Sequence, residues 1–249
     1  MCSLAIFLAC TFTACAQNKD VNNGENISNY YLKIEDVADS RRLLPPPPEE
    51  NSAYFEYDKE QYRLGKALRQ TERGAQAVRD AMVGGNDVVR NFSKAFGMEI
   101  SLKNTPEIYT LIVHMKEDAG DLSTRHAKNF YMRWRPFAYF NEDTPLLEQQ
   151  KGLSNNGSYP SGHTAIGWAT ALVLSEINPE RQDEILKRGY EMGQSRVICG
   201  FHFQSDVDAA RMVASAVVAR LHADKKFSRQ LKKAKKEFKK LYKSATSQR

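Results

Sequence analysis

Three separated clusters hold the residue types that a phosphoryl-transfer site requires. They are Lys128-x6-Arg135-Pro136, then Gly157-Ser-Tyr-Pro-Ser-Gly-His-Thr164, then Ser195-Arg196-x5-His202-x3-Asp206. Singly each is a weak signal. A Lys and an Arg seven apart on a helix usually mark a solvated face, a Pro-Ser-Gly-His run is usually a loop before a helix, and a His–Asp pair at i, i+4 is often a surface pair. Together they match one chemistry. A transferring phosphoryl group spreads charge over three non-bridging oxygens, and its catalysis is mainly positioning and charge stabilisation. Lys128, Arg135 and Arg196 supply three cations for three oxygens, and guanidinium groups can grip them in pairs. Ser161 and Gly162 stand before an apolar run, where backbone N–H groups at a helix N-terminus form an anion cradle. Gly162 also allows close backbone approach.

Two histidines then remain for covalent and proton chemistry. His202 and Asp206 lie one helical turn apart, so the carboxylate can fix the imidazole tautomer and leave the other ring nitrogen as a nucleophile. His163, at the mouth of the apolar run, can protonate a departing alkoxide. These roles need a neutral His202 and a cationic His163, which places the working range at about pH 5–6.5, where imidazoles titrate.

Other chemistries fail on spacing. Cys199 has Ser205, not Arg, six residues on; Arg125-His126 is followed by Ala127 rather than Gly; Asp206-Val-Asp208 follows no apolar strand; and no P-loop occurs. His163 has no acidic neighbour to complete a metal site. His114, His126 and His222 read as bystanders, and Cys199 as a packed small residue.

The elements that must position these residues read as helices. Asp58–Met82 forms one long helix stopped by Gly84-Gly85, and Asn86–Phe96 a second ending at Gly97. Thr105 caps a third helix through His114, with Pro106 at its first position. Ala127–Phe137 forms a fourth. Thr164–Ile177 is almost wholly apolar and forms a buried central helix, too short for the roughly 20 residues that cross a bilayer. Asn178-Pro179 caps the next, and Asp206–Ala223 is the last before the tail. Few alternating segments and no internal repeat appear, so the expected class is an all-α, single-domain helical bundle.

The chain has 249 residues, 41% hydrophobic and with net charge +6. That is one core's worth of chain, divided as leader 1–16, polar arm and Pro45–Pro48 stretch 17–50, helical domain 51–224 and basic helix 225–249. Met1–Ala16 fits the apolar core of a secretory signal, with Ala14 and Ala16 at a cleavage spacing; a lipoprotein reading uses Cys15 instead. Export, to the periplasm or outside the cell, is expected on either reading. Only Cys199 is certain to remain in the mature domain, so no internal disulfide is expected. Between Lys225 and Lys243 ten Lys/Arg face one Glu, which leaves the rest of the chain about −3. The basicity therefore belongs to the tail and is no argument for nucleic acid. Phe227, Leu231, Ala234, Phe238 and Leu241 form one apolar stripe, so the tail is expected to be a helix laid on the core.

The clusters resemble, in order and without a substitution, the K-x6-R-P, P-S-G-H and S-R-x5-H-x3-D pattern of the type 2 phosphatidic acid phosphatase and vanadium haloperoxidase superfamily. The octet GSYPSGHT, the LPPPP near the start and SRVICGFHFQSDVDAAR resemble its class A bacterial non-specific acid phosphatases. The resemblance covers about Leu43–Ala223. It implies His202 as the nucleophile of a phosphohistidine, Asp206 as its support, and His163 as the general acid. It further implies phosphate held by Lys128, Arg135, Ser161, Gly162 and Arg196, with no metal or other cofactor. Periplasmic location and a homo-oligomer are also implied. Nucleotides, sugar phosphates and aryl phosphates are the expected substrates, with transfer to alcohols as a side reaction of a covalent intermediate. A haloperoxidase holding vanadate in the same cradle is the rival within the superfamily, and the octet favours the phosphatase.

Overall fold

The structure, a computed structural model, describes residues 30–246, with side chains to Ser244. The leader and its Cys15 lie outside the described residues. Among those described there is no strand, in keeping with the all-α class.

The chain enters along the domain rather than away from it. Backbone amides of Tyr31 and Leu32 donate to the buried Asp118 carboxylate at 3.0 and 2.9 Å. Leu32, Val37 and Leu44 are buried around the short helix α1 (Ser40–Leu43). From Tyr30 onward, then, the expected loose arm is docked. Pro45–Pro48 is non-helical as expected, and the Tyr159 hydroxyl donates to the Pro45 carbonyl at 2.7 Å.

The expected single helix over Asp58–Met82 is two helices, α2 (Ala53–Ala67) and α3 (Glu72–Asp80). Thr71 breaks the run by capping α3: its hydroxyl accepts from the Gly74 amide at 3.3 Å. The backbone folds so tightly there that a Cβ on Gly74 would lie 2.2 Å from the Arg69 carbonyl oxygen. Helix α4 (Gly85–Phe96) ends at Gly97 with φ 86°, as read. Helix α5 (Pro106–Glu117) starts with Pro106, but Thr105 does not cap it. The Glu237 carboxylate, from the far end of the chain, accepts from the Glu107 and Ile108 amides at 3.2 and 3.0 Å instead.

A π-helical turn, Asp118–Leu122, leads into α6 (Ser123–Tyr131). The expected helix over Ala127–Phe137 ends there. Met132 takes the left-handed φ 43°, residues 132–135 are non-helical with Arg135 extended, and α7 (Pro136–Tyr139) starts anew. Pro136 disfavours helical backbone at Arg135 and lacks the N–H that a continuous helix would use. After α8 (Leu147–Leu153) comes α9 (Gly162–Ile177), the central helix, with ten of its sixteen residues buried. Asn178 does not cap the next helix. Its side chain donates to the Phe96 carbonyl at 2.8 Å, a 3-10 turn over Pro179–Arg181 intervenes, and α10 (Gln182–Ile198) follows.

Helix α11 (Gln204–His222) starts after His202, so His202 belongs to the turn before it. Helix α12 (Lys225–Thr246) lays Phe227, Leu231, Ala234 and Phe238 into the core, with Phe227 edge-on to Tyr31 at 5.4 Å. No helix among the described residues is long and apolar enough to cross a membrane.

Candidate active site

The three clusters converge where α6, α9, α10 and α11 turn. The octet loop is clamped from both sides. The Lys128 ammonium donates to the Gly157 carbonyl at 2.8 Å, the Ser158 amide to the Arg133 carbonyl at 2.9 Å, and the Ser161 amide to the Asp206 carbonyl at 3.0 Å. Gly157 is required by close approach: a Cβ there would sit 2.5 Å from the Lys128 carbonyl oxygen. The last of these bonds corrects one expectation. The Ser161 N–H is committed to Asp206, so it does not belong to an anion cradle. Its hydroxyl caps α9, accepting from the Thr164 amide at 3.3 Å.

His202 is buried, and its tautomer follows from its neighbours. Arg135 Nη1 lies 3.0 Å from Nε2. A guanidinium can only donate, so Nε2 presents its lone pair and the ring proton sits on Nδ1. Nδ1 faces the Ser158 hydroxyl at 3.3 Å and Asp206 Oδ2 at 3.5 Å. The His–Asp contact read from the sequence is present, but Ser158 stands within it, donating to Asp206 Oδ2 at 2.5 Å. Burial and then the Arg135 charge push the His202 imidazolium well down from its ordinary value, so the ring is neutral. Asp206 is the reverse case. Burial alone would raise it, yet Arg133, His202 and Ser158 outweigh that and hold it below the usual carboxylate range.

Arg196 is the most informative of the cations. It is 0% exposed, and its Nε, Nη1 and Nη2 have no hydrogen-bond partner. The guanidinium stacks over Phe201 at 4.3 Å. The buried carboxylate whose charge acts on it, Asp80, is already engaged by Ser195 and Arg188. A buried, unpaired cation is costly and rare, and a tetrahedral oxyanion is the partner that a fork of free N–H groups fits. Arg135 is better satisfied, donating to the Asn156, Phe201 and Gly157 carbonyls and to Asn156 Oδ1. Burial, with Arg196 beside it, pushes Arg135 down to about 9, and burial pushes Arg196 down to about 10; both stay charged in the acid range. Lys128 is pushed well down by burial and then by Arg135.

His163 Nε2 lies 3.1 Å from the Ala81 carbonyl oxygen. A carbonyl only accepts, so Nε2 carries a proton. Burial, then the Arg196 charge, push the imidazolium well below its ordinary value. The protein's own charges therefore oppose the cationic start expected of His163. A phosphate dianion would add the opposite field. Among the described residues no group of three or more His, Cys, Asp or Glu is arranged to hold a metal ion.

Four side chains at the site escaped sequence reading. Ser158 sat in view inside the octet. Arg133 stands two residues before Arg135 in the non-helical stretch between α6 and α7, where helix periodicity gives no guide to the face a side chain takes. Asn156 precedes the octet. Asp58 carried no local signal at all, since its partner Ser205 is 147 residues away.

Comparison with known proteins supplies the family. Residues 112–229 match the model of the PAP2 superfamily. A non-specific acid phosphatase of Providencia stuartii is 56% identical over 244 residues, 96% of this chain and 98% of its own. One from Salmonella typhimurium is 45% identical over 215 residues, 86% of each chain. An acid phosphatase of Zymomonas mobilis is 36% identical over 190 residues, 76% of this chain and 71% of its own.

Proposed function

The chain belongs to the bacterial non-specific acid phosphatases of the PAP2 superfamily, and from that premise we propose that it hydrolyses phosphomonoesters through a phosphohistidine formed on His202, without a metal. The observation that carries this reading is the buried Arg196 with three unpartnered nitrogens, its charge acting on the Arg135 guanidinium that meets His202 Nε2 at 3.0 Å.

In this reading Arg196, Arg135 and Lys128 take the phosphoryl oxygens, joined by the Ser161 hydroxyl and the Gly162 amide at the start of α9. His202 Nε2 attacks phosphorus, and the P–O bond to the alcohol breaks. Asp206 and Ser158 steady the ring as it becomes cationic. His163 Nδ1, protonated under the field of the bound anion, gives its proton to the leaving alkoxide. The same nitrogen then takes a proton from water, which attacks the phosphohistidine and releases phosphate. An alcohol in place of that water gives phosphotransfer. A site that grips phosphate and little else suits nucleotides, sugar phosphates and aryl phosphates alike. Export, with Gln17 as first mature residue or with a lipid on Cys15, fits the leader, and self-association fits the family.

The test is a rapid quench with labelled substrate in the presence of EDTA. An acid-labile, base-stable phosphate should map to His202, and His202→Ala should lose turnover while still binding phosphate. Retained turnover in that variant, or label on another residue, contradicts the assignment.

A further inference from the structure

Behind the nucleophile runs a buried chain of charge. Asp58, on α2, and Asp206, in the first turn of α11, are both 0% exposed. One guanidinium joins them. Arg133 Nη1 donates to Asp206 Oδ1 at 2.6 Å, and Nη2 donates to Asp58 Oδ2 at 2.8 Å. The guanidinium carbon lies 4.4 Å from the Phe203 ring centre and 5.6 Å from that of Phe55. Asp58 is anchored in turn: it accepts from the Ser205 amide at 2.8 Å and from the Ser205 hydroxyl at 2.5 Å. Arg133 thus occupies Asp206 Oδ1 and leaves Oδ2 for Ser158, the Phe203 amide and the His202 edge.

We propose that Arg133 is a positioning residue for phosphoryl transfer and Asp58 its outer counterion, the pair keeping Asp206 ionised and its Oδ2 aimed at His202 Nδ1. The proposal rests on the phosphohistidine reading. The physical need is specific. Attack by Nε2 makes the His202 ring cationic, and Arg135, Arg196 and Lys128 all oppose that. A full negative charge on the Nδ1 side offsets them. Asp206 paired with Arg133 alone would present almost none, because the two charges cancel. Asp58 supplies the second anion, Arg133 and Ser205 opposing the burial that raises its carboxyl: the buried row of carboxylate, guanidinium and carboxylate then carries one net negative charge toward the ring. A carboxylate placed only to cap α11 would not need the guanidinium bridge to Asp206.

The test compares wild type, Asp58→Asn and Arg133→Lys by single-turnover phosphorylation of His202 against pH, with one aryl phosphate throughout so that substrate ionisation is common to all. Asp58→Asn keeps the acceptor for Ser205 but removes the second negative charge. It should lower the phosphorylation rate constant about 10-fold and move its acid limb to lower pH, since a less negative surrounding makes His202 harder to protonate. Arg133→Lys keeps one cation but cannot bridge both carboxylates, and should lower the rate constant about 10- to 100-fold with KM changed less than about 3-fold. The Lys variant carries the test if the Asn variant does not accumulate as folded protein. Wild-type rate in Arg133→Lys, or lost stability in Asp58→Asn with rate and acid limb unmoved, overturns the proposal and leaves a merely structural cap. Wild-type enzyme with no phosphate on His202 sinks the underlying mechanism, an outcome visible before any variant is made.

Discussion

A guanidinium in a closed interior with none of its N–H groups satisfied destabilises the fold that contains it. Arg196 is in that position, while its neighbours Ser195 and Arg188 are paired with Asp80. Replacement of unpaired buried charge by an apolar side chain of similar length is neutral or stabilising. Arg196→Met should therefore melt no lower than wild type in phosphate-free buffer, lose the rise in melting temperature that inorganic phosphate gives wild type, and lose at least about 100-fold in kcat/KM. Thermal denaturation with and without phosphate reads this. A variant that melts several degrees lower and is still stabilised by phosphate would place the anion elsewhere. Ser158 belongs to the same scale. Its type and place were visible in the octet, but nothing about a serine in a loop announces that its hydroxyl sits between His202 and Asp206.

At the scale of elements, the site depends on how closely α9 and α10 cross, because α9 starts at the His163 end and α10 delivers Arg196. Small residues permit the approach. A Cβ on Gly189 would lie 2.4 Å from the Ala171 Cβ, and one on Gly193 would lie 2.9 Å from Thr164 Cγ2. Gly189→Ala is good for helix propensity yet should cost about 1–3 kcal/mol of stability through overpacking. It should also lower kcat by separating Arg196 from His163, measured by chemical denaturation beside steady-state kinetics. An equal or greater stability with unchanged kcat would show the crossing to be looser than it is here. Helix signals made α4 and α12 legible from sequence, an apolar run made α9 so, and Pro106 marked the start of α5. The breaks were less legible. The stop inside Asp58–Met82 comes from a capping threonine amid residues that favour helix, and the cap of α5 comes from Glu237, about which the local sequence of α5 says nothing.

The whole molecule couples its stability to pH through the two buried imidazoles. Burial pushes both His163 and His202 well below the ordinary histidine value. Below about pH 6.5 the unfolded chain binds protons that the native state refuses, so stability falls as pH falls, by up to about 1.4 kcal/mol per pH unit for each ring. Asp118 has the opposite sign. Burial pushes it up to about 6, so between its unfolded and folded values the native state holds the proton, and its penalty fades on acidification. Burial raises the Asp58 carboxyl as well and lowers His114, so three rings stand against two carboxyls, and the melting temperature should drop between pH 7 and pH 5. In His163→Gln the drop should be shallower; an equal slope in that variant would mean that His163 already carries its proton in the native protein.

The amino-acid sequence alone determined the class of fold and singled out the candidate reacting groups, because spacing along a chain sets which residues share a helical turn and which segments bury an apolar face. Lys128, Arg135, His163, Arg196, His202 and Asp206 were all readable on that basis. Only the tertiary structure decided that Arg196 lacks every partner, that the Ser161 amide serves Asp206, and that Asp58 reaches Arg133 across 75 residues of chain. Such contacts depend on where distant helices come to rest, and the distance between two residues along a chain carries no information about that.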